Sequence, residues 1–412
     1  MGTFHAPGAN RRKMRVLMSV QFYFPFQDRG GPVLKVRALA RGLAQRGHAV
    51  TVLTADLGLR GFNGALSQMN RSPWGWRSEM EGVEAIYLPT LGRYRALTFN
   101  PRVVGFCGAH LRDFDLVHFY GLYDLLGPAV SYFCRRSAIP YVIEPLGMYR
   151  PIERSVQLKQ LWHRTLGGPF WRNAARIVAT SEMEEQELLD DGVPPGKVVV
   201  RYNGIDLDSF ASLPPRGSFR AIWSIPPGEP LILFFGRLIP RKGADTLIEA
   251  FSQACPNTGS LVIAGPEGES GYRAYLEKCA RERGMESRIR FTGALYNEEK
   301  KAALADADLF VLPSRYENFA NAAAEAVGCG VPVIVTQSCG IRSLVNGRAG
   351  LVIGLGVAPL AEALRKLMND QAQYTALRRG CRDVADQLRW ERLTEQMEAY
   401  YQQILGPTHA VN

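Results

Sequence analysis

The chain has 412 residues, 46% of them hydrophobic and 21% charged, so it is long enough for two or three domains and too apolar to be disordered. Its net charge of +10 favours an anionic partner, such as a nucleotide or an acidic lipid surface. We find no basic run interleaved with aromatic residues of the kind that forms a nucleic-acid module, so we expect no nucleic-acid partner.

The N-terminal segment superficially resembles a signal sequence, because three basic residues at 11–13 precede an apolar stretch at 16–26. Gln21 and Pro25 interrupt that stretch, so residues 15–20 are better explained as a first buried strand. The sequence contains no run of 18 apolar residues that would predict a membrane-spanning helix. Seven cysteines, scattered singly, favour free thiols in a reducing compartment. We therefore expect a cytoplasmic protein.

Short apolar segments alternate with helix-length segments along most of the chain. This pattern is typical of parallel strands that are covered by helices on both faces. The predicted strands are residues 15–20, 50–54, 85–88, 116–119, 141–143, 177–180 and 198–201, and after a break 231–235, 261–264, 289–292, 309–312 and 333–336. The fold class is therefore α/β, with two doubly wound Rossmann-like domains.

The break between the two series of strands is rich in proline and glycine, which predicts a linker. We expect a surface insertion at 57–82, where no periodicity is visible, and helices only at 358–405. The predicted division is a first domain at 1–203, a linker at 204–229, a second domain at 230–390, and a C-terminal helix at 391–412 that crosses back to the first domain.

Loops that follow strands are the first places to look for a site, because ligands of open parallel sheets bind beyond the carboxyl ends of the strands. The loop after the first strand contains Gly30 and Gly31, followed by Pro32 at the start of a helix. Two glycines let a diphosphate approach the backbone, and the helix N-terminus attracts an anion. A simple tight turn is the alternative explanation.

A second loop, residues 236–243, follows the first strand of the second domain and contains Arg237 and Lys242. Arg237 can bind a phosphate through two hydrogen bonds, and Lys242 supplies a point charge. The alternative is a basic loop that is merely solvated. A third loop leads into a helix near Asn321, with Glu317 in the loop and Glu325 on the helix. Two glutamates that are merely solvated at the surface are the alternative explanation.

The third loop resembles the E-x7-E signature of glycosyltransferase family 4, with Glu317 and Glu325 as its two glutamates. Residues 236–243 are similar to the G-R-x4-K-G phosphate clamp of that family. Residues 30–48 resemble its Gly-Gly loop and the passage that follows, and residues 203–206 resemble the P-N-G-V-D segment that closes its first domain. The resemblance extends from the first strand to the final helix.

The resemblance implies a role for each matching residue. Arg237 and Lys242 would hold the phosphates of the donor and stabilise the leaving nucleoside diphosphate. Glu317 would bind hydroxyls of the transferred sugar, and Glu325 would bind the ribose.

Backbone amides of Phe319, Ala320 and Asn321 would lie beside the donor, and Gly30 and Gly31 would let the first domain approach its diphosphate.

The chain departs from the family pattern at two places. Tyr202 replaces the usual proline before residues 203–206, and Leu146 lies where family members often carry histidine or arginine. A histidine that contacts the sugar is therefore in doubt at 146. His118 is a candidate to line the same cleft, and a buried structural histidine is the alternative.

The resemblance implies a GT-B fold, with two domains facing across a cleft, and a retaining reaction that uses no metal or other cofactor. Asp-x-Asp occurs at 113/115, 206/208 and 306/308, but these pairs lack the surrounding ligands that a divalent ion requires. Metal ligands are therefore not predicted.

We predict a hexosyltransferase that moves a sugar from a nucleotide-diphosphate sugar to a hydroxyl of a glycan or lipid-linked glycan, in bacterial polysaccharide or lipopolysaccharide biosynthesis. A nucleotide-sugar 2-epimerase and a non-catalytic sugar-nucleotide-binding scaffold remain alternatives. Basic and aromatic residues at 57–100 and 154–176 suggest an anionic membrane surface as a further partner, at its inner face. Trp162 and Trp171 in that region are equally explained as core residues.

Overall fold

The chain divides into two compact units in a computed structural model, which describes residues 12–25, 31–57, 59, 69–94, 97–150 and 156–406. Unit 1 consists of Met1–Ala179, Glu185–Arg201 and Leu393–Asn412, and unit 2 of Thr180–Glu184 and Tyr202–Arg392. Residues 204–229, predicted as a linker, belong to unit 2, because Ile205 and a short helix at Ser218–Ile222 pack into its core.

Unit 1 contains the following elements: β1 Arg15–Val20, α1 Gly31–Gln45, β2 Ala49–Ala55, β3 Asn70–Ser72, β4 Gly75–Met80, β5 Val83–Leu88, β6 Gly92–Tyr94, β7 Leu97–Phe99, α2 Arg102–His110, β8 Leu116–Tyr120, α3 Leu126–Arg136, β9 Tyr141–Glu144, α4 Val156–Arg164, α5 Gly167–Arg172, β10 Arg176–Ala179, α6 Glu182–Asp190 and β11 Val198–Val200. The first residues of α6, up to Glu184, are grouped with unit 2. A nine-stranded sheet has the order β11-β10-β9-β8-β1-β2-β5-β4-β3, and β6 pairs with β7 in a separate hairpin. The central strands β1, β2 and β8 are buried almost throughout, which is why they are continuously apolar in the sequence.

The described C-terminal part of the predicted surface insertion at 57–82 forms a mostly solvent-accessible hairpin with regular strands. Strand β4 pairs antiparallel with β5, and β3 pairs with β4, so this hairpin extends the sheet at one edge. After the buried Gly75, half-buried and exposed residues alternate along β4, as expected for an edge hairpin with one solvated face. Such a short alternating segment carries little of the apolar signal that identified the central strands.

Unit 2 contains the following elements: α7 Ser218–Ile222, β12 Leu231–Phe235, α8 Ala244–Ala254, β13 Ser260–Ala264, α9 Tyr272–Glu282, β14 Ile289–Gly293, α10 Asn297–Asp306, β15 Leu309–Leu312, α11 Asn321–Gly328, β16 Val333–Thr336, α12 Arg342–Val345, β17 Gly350–Ile353, α13 Val357–Asn369 and α14 Gln371–Gln387. Its six strands form a parallel sheet in the order β14-β13-β12-β15-β16-β17. The edge strand β17 was not predicted, because it is short and only half buried.

The last helix, α15, runs from Trp390 to Leu405. From Leu393 onward it packs within unit 1: Glu398 accepts a hydrogen bond of 2.5 Å from Arg46 of the same unit. Within the described residues, we find no helix that is both long enough and apolar enough to cross a membrane.

Candidate active site

The loop that follows β12 is tied to the loop that follows β15, because these strands are neighbours and both loops leave the same edge of the sheet. A 3₁₀ turn at Pro240–Lys242 ends at Gly243, which has a φ of +73° and starts α8. A side chain on Gly243 would collide with the carbonyl oxygen of Pro313. Glycine at 243 is therefore required both by its φ and by this close approach.

Lys242 and Glu317, 75 residues apart, form an ion pair at this edge. Their side chains are only 14% and 13% exposed. The hydroxyl of the buried Ser314 donates a hydrogen bond of 2.9 Å to Oε1 of Glu317. The ammonium of Lys242 is thus held beside Gly236, where β12 ends.

The two arginines of this loop differ in what they bind. Arg241 donates from Nη1 to the carbonyl of Tyr316 at 2.7 Å, and its own carbonyl accepts from the amide of Arg315 at 2.9 Å. Arg237 is exposed, and its side chain forms no hydrogen bond or ion pair with the residues that the structure describes. Arg241 therefore holds the loops together, while the guanidinium of Arg237 is available to a ligand.

The start of α11 presents backbone amides at the same edge. Ala320 adopts a left-handed conformation, with φ of +81°, and immediately precedes the helix. Among the described residues, the amides of Phe319, Ala320, Asn321 and Ala322 have no hydrogen-bond acceptor. A helix N-terminus with free amides attracts an anion.

The loop that carries these amides is held rigidly by its own neighbours within unit 2. The amide of Glu317 donates to Ser338 at 2.9 Å, and the amide of Gly340 donates to Glu317 at 2.9 Å. The side-chain amide of Asn318 donates to the Thr180 hydroxyl at 2.6 Å, and the Ser181 hydroxyl donates to the Asn318 carbonyl at 2.9 Å.

Glu325 lies on α11 and forms an ion pair of 2.5 Å with Lys300 of α10. Both side chains are about a quarter exposed, so the pair is accessible from solvent. The ammonium of Lys300 also lies 5.3 Å from the centre of the Phe235 ring. Glu325 thus has a cationic partner different from that of Glu317.

In unit 1, the carboxylate of Glu144 is completely buried at the end of β9, where it pairs with Lys35 and with Arg201. The distance from Nη2 of Arg201 to the carboxylate is 2.6 Å, and Arg201 is also completely buried. Burial lowers the pKa of Arg201. Two cations and one anion thus share a site that excludes water.

His118 lies beside this ionic cluster and has no exposed surface. Its Nδ1 lies 2.6 Å from the hydroxyl of Tyr401 on α15 and 3.1 Å from the hydroxyl of Tyr120. Burial, with the positive charges of Arg201 and Lys35, lowers the pKa of His118 well below its ordinary value. A side chain without exposed surface does not line a cleft, so the proposed role of His118 there is wrong in this structure.

The sequence matches two family models. Residues 30–204 match the family described as "Glycosyl transferase 4-like domain", and residues 215–384 match "Glycosyl transferases group 1". The chain is 30% identical, over 320 residues, to D-inositol 3-phosphate glycosyltransferase 1 of Catenulispora acidiphila, with 73% of this chain and 76% of the relative aligned. The chain belongs to glycosyltransferase family 4.

Other comparisons agree with this family 4 membership. The GDP-mannose-dependent alpha-mannosyltransferase of Mycobacterium tuberculosis is 29% identical over 326 residues, which cover 77% of this chain and 78% of the relative. Across eight curated relatives, the aligned part ranges from 50% to 98% of the relative's length. The crystal structure of HepE from Anabaena in complex with UDP has a TM-score of 0.75 at 20% identity, and covers 94% of this chain and 99% of that one. The predicted GT-B fold is confirmed.

Family membership decides between the predicted activities. This family 4 protein is an enzyme and a glycosyltransferase, which sets aside the 2-epimerase and the non-catalytic scaffold.

The structure brings some of the predicted site residues of this glycosyltransferase together and leaves others apart. Lys242 contacts Glu317, and Phe319, Ala320 and Asn321 follow on the same loop. Glu325 has Lys300 as its partner instead. Gly31 is the first residue of α1 in unit 1, and Gly30 lies outside the described residues.

Sequence reasoning missed two sets of residues at the site of this glycosyltransferase. Lys300, the partner of Glu325, lies on a charged helix whose sequence carries no distinguishing signal. Thr180 and Ser181, which hold Asn318, directly follow β10, so inspection of that post-strand loop would have found them.

His118 predicts a pH dependence of stability in unit 1 of this glycosyltransferase. Its folded pKa is lowered, so the unfolded chain binds more protons and the stabilisation is complete only above the ordinary pKa of about 6.5. We expect the free energy of unfolding to fall as the pH is lowered through 6.5, and His118→Gln to reduce that slope by up to about 1.4 kcal/mol per pH unit. Denaturant unfolding at several pH values measures it, with His110→Gln, at a side chain 45% exposed, as the control. Equal slopes in wild type and His118→Gln would contradict the assignment.

Proposed function

We propose that this glycosyltransferase moves a sugar from a nucleoside-diphosphate donor to a hydroxyl of a glycan or lipid-linked glycan, with retention of the anomeric configuration. Two comparisons support the donor class. One curated relative is named as GDP-mannose-dependent, and a crystal structure of similar fold holds UDP. Bacterial polysaccharide or lipopolysaccharide assembly at the inner face of the membrane is the process in which such an acceptor is met.

The observation that carries the proposal is the group of anion-binding features at the carboxyl edge of the unit 2 sheet. Arg237 is exposed and without a partner among the described residues, Lys242 is fixed beside the end of β12, and the amides from Phe319 to Ala322 are free. Breaking the sugar–phosphate bond places negative charge on the diphosphate. Donors that are already oriented toward that charge stabilise the transition state without reorganising.

Glu317 has two tasks in this mechanism. Its carboxylate orients the ammonium of Lys242, and its remaining lone pairs accept hydrogen bonds from hydroxyls of the transferred sugar. When the donor binds, Lys242 bridges this carboxylate and the phosphate. Because the Glu317 carboxylate is already engaged by Lys242 and Ser314, we propose displacement on the same face of the sugar rather than a covalent intermediate on Glu317.

Glu325 and Lys300 would act on the nucleoside. A carboxylate accepts hydrogen bonds from both hydroxyls of a ribose, and the ammonium of Lys300 keeps that carboxylate in place. Lys300 is thus assigned a positioning role in donor binding.

We also propose that transfer needs no divalent metal, since Arg237, Lys242 and the free amides supply the positive potential. Among the described residues, no three His, Cys, Asp or Glu side chains are grouped so that they would bind a metal ion.

A panel of nucleoside diphosphates and nucleotide sugars, read by thermal shift and then by calorimetry, tests the proposal. A ligand at 100 times its dissociation constant adds about 2.7 kcal/mol to the stability of the folded state. We expect one base to stabilise the protein above the others, to the same extent in excess EDTA and in magnesium. If no nucleotide binds, the donor class is wrong, and if binding or transfer is lost in EDTA and restored by magnesium, the metal proposal is wrong.

A further inference from the structure

Four consecutive helices of unit 1, like α1 before them, contain no acidic residue. Helices α2 to α5 carry neither Asp nor Glu, although the chain has 39 acidic residues. They carry six Lys or Arg residues: Arg102, Arg135, Arg136, Lys159, Arg164 and Arg172. These four helices thus carry positive charges and no acidic residue of their own.

Helices α2, α3 and α5 pack on one face of the unit 1 sheet and α4 packs against α5, and we call these four helices together the basic layer. Val103 and Phe106 of α2, Val130 of α3 and Phe170 of α5 belong to one buried cluster with strand residues such as Phe119. Helix α2 contacts α3, α3 contacts α5, and α5 contacts α4. The arginines of these helices lie outside this cluster and are exposed: Arg102, Arg135, Arg136, Arg164 and Arg172.

The outer side of the basic layer also exposes large apolar side chains. Leu158 and Leu161 are 53% and 56% exposed, and their spacing of three residues places them side by side on α4. Of the thirteen exposed large hydrophobic residues in the described part of the chain, eight lie in this region. They belong to α2, α3, α4, the α4–α5 connection, the hairpin β6–β7, or the position just before that hairpin. They are Leu91, Tyr94, Phe99, Val104, Tyr132, Leu158, Leu161 and Leu166. Apolar groups are thus interspersed with arginines across this surface.

The arginines of the basic layer are not neutralised by the rest of the protein. Arg102, Arg135, Arg136, Arg164 and Arg172 form no ion pair within the described part of the chain. Arg136 instead donates to the hydroxyl of Tyr132 at 3.1 Å. Helix α6 is acidic, and its Leu188 belongs to the same buried cluster as α2, α3 and α5. The uninterrupted positive charge of the basic layer therefore ends at α6.

We propose that the basic layer, with the hairpin β6–β7, is a docking surface for an anionic lipid bilayer. Arginines without acidic partners are attracted to acidic headgroups, and exposed leucines beside them enter the boundary between headgroups and acyl chains. Nucleic acid would pair with the charges but leave Leu158 and Leu161 in water. This surface is where the protein would meet a lipid-linked acceptor. Only that statement about the acceptor rests on the proposed function, and binding to the bilayer does not.

Co-sedimentation of the full chain with vesicles tests the proposal without donor or acceptor. We expect binding to phosphatidylcholine vesicles that contain phosphatidylglycerol, little binding to phosphatidylcholine alone, and weaker binding as salt is raised. Replacing Arg135, Arg136 and Arg164 together by Gln should lower the partition onto anionic vesicles on the order of a hundredfold. Exposed arginines of unit 2 without ion pairs supply the matched control, Arg281→Gln with Arg379→Gln and Arg382→Gln, which should bind as the wild type does.

A second variant separates lipid insertion from charge alone. Leu158→Ala with Leu161→Ala and Leu166→Ala keeps every charge and should weaken binding to anionic vesicles about tenfold or more. Circular dichroism and the unfolding midpoint verify that each variant is folded, independently of whether the donor proposal holds. Equal binding to neutral and anionic vesicles, or equal loss in the arginine variant and its unit 2 control, overturns the proposal. Binding to RNA or heparin but not to vesicles assigns the layer to a soluble polyanion and overturns it as well.

Discussion

Arg237→Ala and Lys242→Met should each lower turnover by on the order of 10²- to 10³-fold, because each removes one fixed donor to the charge that develops on the diphosphate. Arg237→Ala removes a side chain without partners among the described residues, so its effect is confined to ligand binding and catalysis. Steady-state kinetics together with calorimetry of nucleoside-diphosphate binding measure both effects.

Arg241 is unsuitable as the control for Arg237. Its guanidinium donates to the carbonyl of Tyr316, so Arg241→Ala would disturb the loop itself. Arg281→Ala, at an exposed arginine on α9, is the better control and should leave turnover unchanged. Lys242→Met also leaves Glu317 without its cationic partner. The double variant Lys242→Met with Glu317→Gln separates the loss of the phosphate contact from the effect of an unpaired Glu317 carboxylate. Unchanged nucleoside-diphosphate binding in both single variants would refute the clamp.

Glu144→Gln should destabilise unit 1 by about 3–5 kcal/mol, because it leaves two buried cations without their anion. Arg201→Met should cost less, since Lys35 and Glu144 remain as a neutral pair. Denaturant unfolding followed by a probe in unit 1 measures the difference.

The surface pair of Arg150 and Asp191 serves as the reference for this comparison. Arg150 is 35% exposed, and the Arg150→Met change should cost less than about 1 kcal/mol. Glu144 would not be the anion that stabilises both buried cations if Glu144→Gln were no more destabilising than Arg150→Met, or less destabilising than Arg201→Met.

The twelve strands predicted from the apolar pattern all exist. The central ones are visible in the sequence because a strand buried on both faces must be apolar along its length. The hairpins and the edge strand β17 were not predicted, because they are short and partly exposed and so lack a continuous apolar segment. Strand β4 is half solvated, so its sequence alternates over only six residues, and its place beside β5 depends on pairing rather than on composition.

The α/β class and the resemblance to family 4 can be recognised in the sequence alone, since the order of elements and the post-strand loops are properties of local pattern. The same pattern places Arg237, Lys242 and Glu317 in two loops at strand ends, where parallel sheets bind ligands. Which side chains meet depends on how the strands are arranged in the folded protein. Lys242 pairs with Glu317 because β12 and β15 are neighbours in the sheet, and sheet order is not encoded in either segment alone.

The same limit explains His118. A histidine inside an apolar strand fits either a ligand site or a buried network, and its partner, Tyr401, lies 283 residues away on a helix that packs within the same unit. In the sequence, the residues of the basic layer are only scattered arginines and aromatic residues. The packing of α2, α3 and α5 on one sheet face, with α4 against α5, brings those charges together. The sequence shows which residues are charged. Their concentration on one face follows from the burial of the opposite sides of those helices.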